Sequence, residues 1–328
     1  MLEKIKKIAV LTSGGDSPGM NAAIRSVVRT CAYHGVDCIG IYRGYQGMIE
    51  GDFKLMGPRS VKDIVNKGGT ILKSARSKEF MTKEGRQKAY TNFKKADIDA
   101  LIVIGGDGSF TGAQVFNKEF NVPIIGIPGT IDNDIYGTSH TLGYDTALNT
   151  VVEVIDKIRD TASSHNRLFF VEVMGRDAGH IALNAGIGAG AEEILIPEEN
   201  LGLDRLLDSL KRSKLSGKSS SIVVVAEGDK TGKNVFELKD YVEQNMPEYD
   251  VRVSVLGHMQ RGGSPSCFDR VLASRLGVKA VESLLEGKTN YMVGLLNDKV
   301  TLTPIDQAIK GSTEVDRELL KVSDIMSI

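Results

Sequence analysis

The sequence VPIIGIPGTIDND occupies residues 122–134 and contains the first evidence for the fold. Its apolar run, 122–127, predicts a buried strand, and the pair Pro128-Gly129 then turns the chain. Asp132 and Asp134 follow two positions apart, so an extended backbone would point both carboxylates to one side. In an open parallel sheet the loops after the strands form the ligand crevice, where such carboxylates hold Mg²⁺ or act as a base. Taken alone, the segment fits a polar turn with an Asx hydrogen bond equally well.

Two more acidic glycine loops follow predicted strands. Residues 105–109 read GGDGS after the apolar run 100–104, and residues 13–19 read SGGDSPG after the run 8–12. Glycines between a strand and a helix let backbone N–H groups approach phosphate at the helix N-terminus. None of these loops has the P-loop or dinucleotide-binding spacing. Together they indicate a nucleotide phosphate chain with its metal, and therefore a phosphoryl-transfer site.

The composition excludes several classes of protein. Forty-one basic and 42 acidic residues give a net charge of −1, which argues against a general nucleic-acid or anionic-membrane partner. No segment approaches the roughly 20 apolar residues of a membrane span, and the N-terminal apolar run is too short for a signal peptide. The three cysteines form no C-x-x-C pair. We therefore expect a cytoplasmic protein with reduced thiols.

Strand-length apolar runs alternate with helix-length stretches along almost the whole chain. This alternation predicts an α/β fold with mainly parallel sheets and helices on both faces. Polar signatures follow strands in both halves, so we expect two doubly wound domains that face each other across an active-site cleft. A short helix is predicted at residues 60–66.

The sequence contains five motifs in a fixed order: SGGDSPGMN at 13–21, GGDGS at 105–109, PGTIDND at 128–134, MGR at 174–176 and LGHMQRGGSP at 256–265. In this order they resemble those of bacterial ATP-dependent 6-phosphofructokinases. The chain resembles this family from residue 5 to residue 286, and more faintly to its end. The resemblance implies an ATP/Mg-binding domain, residues 1–143 and 256–306, and a sugar-phosphate-binding domain, residues 144–255 and 307–328.

The implied reaction is ATP + fructose 6-phosphate → ADP + fructose 1,6-bisphosphate. Asp132 would be the general base for the 1-hydroxyl of the sugar, and Thr130 and Asp134 would steady the sugar and metal ends of the site. Arg176 would balance charge on the transferred phosphoryl group. The implied catalytic set is Asp132, Thr130, Asp134, Arg176 and Gly15.

The resemblance also implies a nucleotide site in which Asp107 holds Mg²⁺. Its members are Gly15, Tyr45, Arg76, Ser77, Gly106, Asp107, Gly108 and Ser109. ATP users resemble this chain in having Gly108 and Gly129, where pyrophosphate users carry Asp and Lys. The steric explanation is that larger side chains would fill the space of the α-phosphate. Ser77 replaces an aromatic residue or cysteine that commonly contacts adenine, so weaker adenine stacking is expected.

The implied sugar-phosphate set is larger and includes residues from a second subunit. It comprises Thr130, Asp132, Asp134, Arg167, Met174, Gly175, Arg176, Glu227, Arg252, His258 and Arg261. In the family, counterparts of Arg167 and Arg252 reach in from a neighbouring subunit, which implies a homotetramer with shared active sites. Outside the motif context, an arginine in a surface salt bridge or a packed, hydrogen-bonded His258 would explain these residues as well.

A regulatory site for a nucleotide such as ADP is implied by a further set. It comprises Arg25, Arg29, Arg59, Arg159, Glu192 and Lys218, with Glu192 as a metal ligand. An exposed basic helix face is the alternative for Arg25 and Arg29, which are four residues apart. Pro58 replaces an arginine that often binds the effector, so the effector response is open.

Two other functions remain as alternatives to the implied kinase. A pyrophosphate-dependent phosphofructokinase is disfavoured by Gly108 and Gly129. A non-catalytic effector-binding subunit would be expected to lose the base or the metal ligand, yet Asp107 and Asp132 are both present.

Overall fold

The computed structural model describes residues 5–163, 167–199, 202–216, 220–311 and 313–326. The chain divides into two compact units: unit 1 comprises residues 1–131, 135–146 and 261–312, and unit 2 comprises residues 132–134, 147–260 and 313–328. The main limits fall at 146/147, 260/261 and 312/313, against predicted domain limits at 143/144, 255/256 and 306/307. Asp132–Asp134 group with unit 2, whereas the predicted domains place them with the ATP-binding part.

The strands and helices alternate along the described chain. The strands are β1 (Lys7–Thr12), β2 (Asp37–Ile41), β3 (Phe53–Met56), β4 (Ala100–Gly105), β5 (Ile124–Pro128), β6 (Arg167–Val173), β7 (Glu193–Leu195), β8 (Ser221–Ala226), β9 (Asp250–Val255), β10 (Tyr291–Leu296) and β11 (Lys299–Pro304). The helices are α1 (Met20–Tyr33), α2 (Gly44–Glu50), α3 (Lys83–Lys95), α4 (Asp107–Phe120), α5 (Tyr144–Ser163), α6 (His180–Gly188), α7 (Gly202–Leu215), α8 (Val235–Asn245), α9 (Cys267–Leu285), α10 (Ile305–Lys310) and α11 (Arg317–Met326).

Unit 1 contains, within its described residues, a seven-stranded sheet of order β11-β10-β5-β4-β1-β2-β3. The central pairs are parallel, and the two edge pairs, β10–β11 and β2–β3, are antiparallel. Alternate residues of β1 point to opposite faces: Ile8 and Val10 pack with α1 and α9, and Ala9 and Leu11 pack with α2, α3 and α4. Both faces of the sheet are therefore covered, as a doubly wound fold requires.

Unit 2 is built on a parallel sheet whose described strands have the order β7-β8-β6-β9. Side chains of β6 and β8 pack with the apolar faces of α7 and α8 in one core. The near-continuous apolar runs of these strands follow from burial on both faces. The predicted α/β class with mainly parallel sheets is confirmed.

The helix predicted at 60–66 is wrong, because this segment is a series of turns. Its hydrogen bonds join residues three apart, as from the Lys67 N–H to the Ile64 carbonyl at 3.1 Å. Asp63 has φ 56°, a left-handed conformation that interrupts a right-handed helix. Val61 and Ile64 are buried, so core packing and not helical periodicity explains the apolar spacing.

Candidate active site

Hydrogen bonds join the two ends of the loop that contains Asp132. The Leu142 N–H donates to the Pro128 carbonyl at 2.9 Å, and the Thr141 hydroxyl donates to the Thr130 carbonyl at 2.6 Å. Further along, the Leu295 N–H of β10 donates to the Thr138 hydroxyl at 3.0 Å. The backbone on both sides of Asp132–Asp134 is therefore fixed by bonds that β5 and β10 help to make.

Asp132 is fully buried and forms an ion pair with Arg176. The Arg176 Nε lies 3.3 Å from Asp132 Oδ2, and 53% of the Arg176 side chain is exposed against 0% for Asp132. A buried carboxylate is costly unless a cation compensates its charge. The ion pair thus joins a buried carboxylate to an arginine side chain that is partly exposed to solvent.

The turn after β6 holds Arg176 in an unusual backbone conformation. The N–H groups of Gly175 and Arg176 donate to Glu227 Oε1 at 3.2 and 2.8 Å. Arg176 has φ 53°, and a Cβ placed on Gly228 would lie 1.9 Å from the Arg176 carbonyl oxygen. Two residues that follow β8 therefore hold this turn: Glu227 accepts its hydrogen bonds, and Gly228 leaves room for its backbone. Burial and the charge of Glu227 raise the pKa of Glu172, a neighbouring residue of β6.

The glycine loop after β1 packs against an arginine from the distant segment 256–265. A Cβ on Gly15 would lie 2.8 Å from Arg261 Nη1, and the same Nη1 donates to the Asp16 carbonyl at 3.4 Å. Gly14 has φ 84°, which favours glycine. Gly15 and Arg261, assigned by resemblance to the nucleotide and sugar-phosphate sets, are thus neighbours in unit 1.

The second glycine loop leads directly into α4. Gly106 is the N-cap, and the exposed Asp107 and Gly108 form the first turn of the helix. A Cβ on Gly108 would meet no atom within 4 Å. This turn combines a carboxylate with open space and a helix N-terminus that favours anions.

Gly129 lies in tighter packing than Gly108. A Cβ there would lie 3.1 Å from Met20 Cε and 3.2 Å from Ile104 Cγ2, so the packing of unit 1 itself limits this position. Of these two glycines, only Gly108 would give an added Cβ no contact within 4 Å.

Tyr45 and Ser77 are engaged in contacts inside unit 1. Tyr45 is buried, its hydroxyl donates to the Ser109 carbonyl, and its ring stacks on Phe80 with centroids 4.1 Å apart. Burial raises the pKa of Tyr45. The Ser77 hydroxyl donates to Gln46 Oε1 at 2.7 Å and accepts from the Phe80 N–H at 3.2 Å. Arg76 is exposed beside this cluster in sequence.

The residues suited to a metal are few. In the ranges that the structure covers, no three His, Cys, Asp or Glu side chains are grouped as a metal cage. Mg²⁺ in kinases does not need such a cage, because it keeps waters and binds one or two carboxylates together with substrate phosphates. An exposed Asp107 in the first turn of α4 fits that pattern of donors.

The predicted sugar-phosphate residues of unit 2 separate into two groups. Met174, Gly175, Arg176 and Glu227 follow the carboxyl ends of β6 and β8, and the exposed His258 follows β9. The Met174 N–H donates to Gln260 Oε1 at 3.2 Å. Gln260 is fully buried, and the sequence analysis did not assign it a role.

Arg167 and Arg252 form the second group at the amino ends of the strands. Arg167 is the first residue of β6, and β6 has seven residues, so Arg167 lies roughly 20 Å from the carboxyl end where Arg176 follows. Arg167 Nε contacts Asp250 Oδ2 at 2.8 Å, and Arg252 Nη2 contacts Asp250 Oδ1 at 2.9 Å. The hydrogen bond from Arg167 is the main reason that the pKa of Asp250 is lowered.

The predicted effector residues belong to both units. In unit 2, the Arg159 guanidinium donates to the carbonyls of Ala189 and Gly190 at 2.8 and 2.7 Å and lies 3.7 Å from Glu192 Oε1. In unit 1, Arg25 and Arg29 of α1 line a cavity of 330 Å³ against α9. Arg59 is exposed in the turn segment. Lys218 lies outside the described residues.

Asp269 is a structural residue that the sequence analysis missed. It is fully buried in α9 and accepts hydrogen bonds from the N–H groups of Gly143 and Thr146, both at 2.9 Å. Burial raises its pKa, and the bonds from Thr146 act in the opposite direction. The spacing of Ser266 and Asp269 signals a helix start, but nothing in the sequence shows that Asp269 also holds the start of α5.

Two doubly wound units with glycine loops and charged side chains after their strands define a class of phosphate-handling α/β proteins. The phosphofructokinase family model matches residues 7–284. The chain is 54% identical to an ATP-dependent 6-phosphofructokinase 2 of Bacteroides thetaiotaomicron, with 99% of each chain covered. It is 53% identical to an ATP-dependent 6-phosphofructokinase of Halothermothrix orenii, with 99% of this chain and 100% of that protein covered.

A solved structure gives the same result. Phosphofructokinase from Saccharomyces cerevisiae matches with a TM-score of 0.90 and 38% identity over 98% of this chain. The match covers 48% of the yeast chain, so this chain spans about half of its length. The protein belongs to the phosphofructokinase family. None of the described helices has the length and apolar character to cross a membrane.

Proposed function

We infer that this protein transfers the terminal phosphoryl group of ATP to the 1-hydroxyl of fructose 6-phosphate. The observation that carries the proposal is the ion pair between Asp132 and Arg176, 3.3 Å apart. A dry carboxylate can accept a proton, and a solvent-reaching guanidinium can donate to phosphoryl oxygens. The names of relatives more than 50% identical, ATP-dependent 6-phosphofructokinases, support the same reaction and the same donor.

In the proposed mechanism Asp132 takes the proton of the sugar hydroxyl as the hydroxyl oxygen bonds to the γ-phosphorus. The bond from that phosphorus to the β,γ-bridging oxygen breaks, and ADP leaves. Arg176 compensates the Asp132 charge beforehand and offers its remaining N–H groups to the phosphoryl oxygens. Thr130 and Asp134 keep the sugar and metal ends of the site in place, and Arg76 with the Gly15 N–H adds positive charge at the phosphates. General-base action of this kind contributes about 10²- to 10⁴-fold to the rate.

ATP and Mg²⁺ would bind at the start of α4. Asp107 would hold the ion, which would neutralise negative charge on the phosphates of ATP. Gly106, Gly108 and Ser109 would let the phosphates approach the helix N-terminus. The empty space at Gly108 supports a nucleotide donor.

The sugar phosphate would bind residues of two copies of the chain. Met174, Gly175, Arg176, Glu227, His258 and Arg261 would come from one copy. Arg167 and Arg252 would come from its neighbour, because the roughly 20 Å length of β6 keeps Arg167 away from Arg176 within one chain. A homotetramer with shared sites, and a nucleotide effector bound by Arg25, Arg29, Arg59, Arg159, Glu192 and Lys218, complete the proposal.

Phosphorus-31 NMR tests the proposed reaction. With the unmodified protein, MgATP and fructose 6-phosphate, we expect ADP and one new phosphate monoester on carbon 1 of the sugar. ATP hydrolysis without a new sugar phosphate, or a phosphate on another hydroxyl, would refute the proposal.

A further inference from the structure

Three charged side chains meet on adjacent strands of unit 2. β6 begins with Arg167 and β9 with Asp250, and these two residues are partners in the parallel register. Asp250 and Arg252 are two positions apart on β9, so their side chains leave the same face. All three are partly exposed, at 27%, 42% and 51% for Arg167, Asp250 and Arg252.

The Asp250 carboxylate bridges the two arginines. Its Oδ2 accepts from Arg167 Nε at 2.8 Å, and its Oδ1 lies 2.9 Å from Arg252 Nη2. Two guanidinium groups held side by side would repel each other, and the carboxylate between them offsets that repulsion. The trio keeps a net charge of +1, which still attracts an anion.

Among the described residues, the contacts with Asp250 use few of the donor groups of the two arginines. A guanidinium has five N–H donors, and the described bonds to Asp250 use the Nε of Arg167 and one Nη of Arg252. The remaining donors can therefore reach a phosphate dianion while the bridge to Asp250 stays in place. This arrangement orients the arginines and does not require the anion to displace the carboxylate.

We propose that Asp250 is a positioning residue that holds Arg167 and Arg252 together for the phosphate end of a sugar phosphate. The inference rests on the proposed function, because it takes the phosphate role of the two arginines from there. It assigns to Asp250 a task that is separate from the chemical step.

The test substitution is Asp250→Asn, which keeps the shape of the side chain and removes its charge. The KM for fructose 6-phosphate should rise about three- to tenfold, because the arginines lose their bridge and separate. The kcat at saturating sugar phosphate and the KM for ATP should not change. Asp250→Glu, which restores the charge, should recover part of the affinity.

Glu248→Gln is the matched control. Glu248 is also 42% exposed and also forms an ion pair, with Lys214 at 2.8 Å, but it contacts neither arginine in these bonds. Its KM values should equal those of the unmodified protein. A rise in KM of the same size in this variant would show that the effect comes from general loss of surface charge and would overturn the inference.

A double-mutant cycle separates positioning from a general structural effect. In an Arg252→Gln background, Asp250→Asn should raise the KM less than it does alone, because the two residues act together.

An unchanged or lowered KM in Asp250→Asn, with a raised KM in Arg252→Gln, would overturn the inference and leave the proposed function intact. A normal KM in Arg252→Gln would remove the phosphate role and the inference with it. No turnover by the unmodified protein would overturn both proposals.

Discussion

The positive charge of Arg176 compensates the negative charge of the buried Asp132. The carboxylate has no exposed surface, and the guanidinium 3.3 Å away is half exposed. Removing the carboxylate therefore removes the proposed base and also releases the arginine from its partner.

Asp132→Ser should lower kcat by about 10²- to 10⁴-fold, since the proton-accepting group is lost. The KM for fructose 6-phosphate should change much less, because the other sugar contacts remain. Steady-state rates over a range of both substrates measure the two constants. A variant with nearly normal kcat would exclude Asp132 as the base.

Gly108 and Gly129 should respond differently to added side chains. Gly108→Asp points into empty space at the start of α4, so the thermal stability should change little and the KM for ATP should rise strongly. Gly129→Ala meets Met20 and Ile104 at 3.1 and 3.2 Å, so it should destabilise the protein by about 1–3 kcal/mol. Thermal melts and KM values for each substrate distinguish the two. Equal loss of affinity for ATP and sugar phosphate in Gly108→Asp would contradict the donor explanation.

Among the secondary-structure elements, the residues that follow β8 contact and support the turn that follows β6. Glu227 accepts from two backbone N–H groups of the turn, and Gly228 leaves room for the Arg176 carbonyl. The turn after β6 orients the side chain of Arg176, and the residues that follow β8 hold this turn in place.

Gly228→Ala should reduce kcat by about 10²-fold, because a Cβ 1.9 Å from the Arg176 carbonyl must displace that turn. The control is Gly188→Ala, whose Cβ would meet Val152 at an ordinary 3.5 Å and should leave the rate unchanged. Rates are compared per folded protein, with circular dichroism as the check. Normal kcat in folded Gly228→Ala would show that the turn does not position Arg176.

The strands and glycine loops could be predicted because their signals are local. Apolar runs such as 100–104 and 122–127 precede glycines, and the described β4 and β5 lie there. The strand β3, with only one buried position, and the polar helix α3 received no assignment, because their patterns are weak. The helix prediction for residues 60–66 failed because the left-handed conformation of Asp63 is not visible in the apolar spacing of the segment.

The candidate site was predictable by residue type but not by contact. The family resemblance assigns Asp132, Arg176 and Glu227 to the site one by one. The double hydrogen bond of Glu227 and the packing of Arg261 against Gly15 depend on how distant segments meet. No local sequence pattern predicts these contacts. The same is true of the ion pairs through which Asp250 bridges Arg167 and Arg252.

At the scale of the whole molecule, the positions of the arginines bear on assembly. Arg167 begins β6 and Arg176 lies three residues past its end, and the strand between them is roughly 20 Å long. This length supports the proposal that a sugar phosphate takes the two arginines from different copies of the chain.

Mixing two poorly active variants tests the shared site. Arg176→Ala and Arg252→Gln should each be poorly active, and subunit exchange should restore activity, because some sites then combine an intact Arg176 with an intact Arg252 from the neighbour. Activity is measured after exchange and after mixing without exchange. A mixture no more active than the sum of its parts would contradict shared sites.

The most direct test of the whole account compares phosphoryl donors. Initial rates are measured with fructose 6-phosphate and Mg²⁺ plus either ATP or pyrophosphate, and fructose 1,6-bisphosphate is detected by coupling to aldolase. The account predicts turnover with ATP and none with pyrophosphate. Turnover with pyrophosphate, or no turnover with either donor by folded protein, would contradict it.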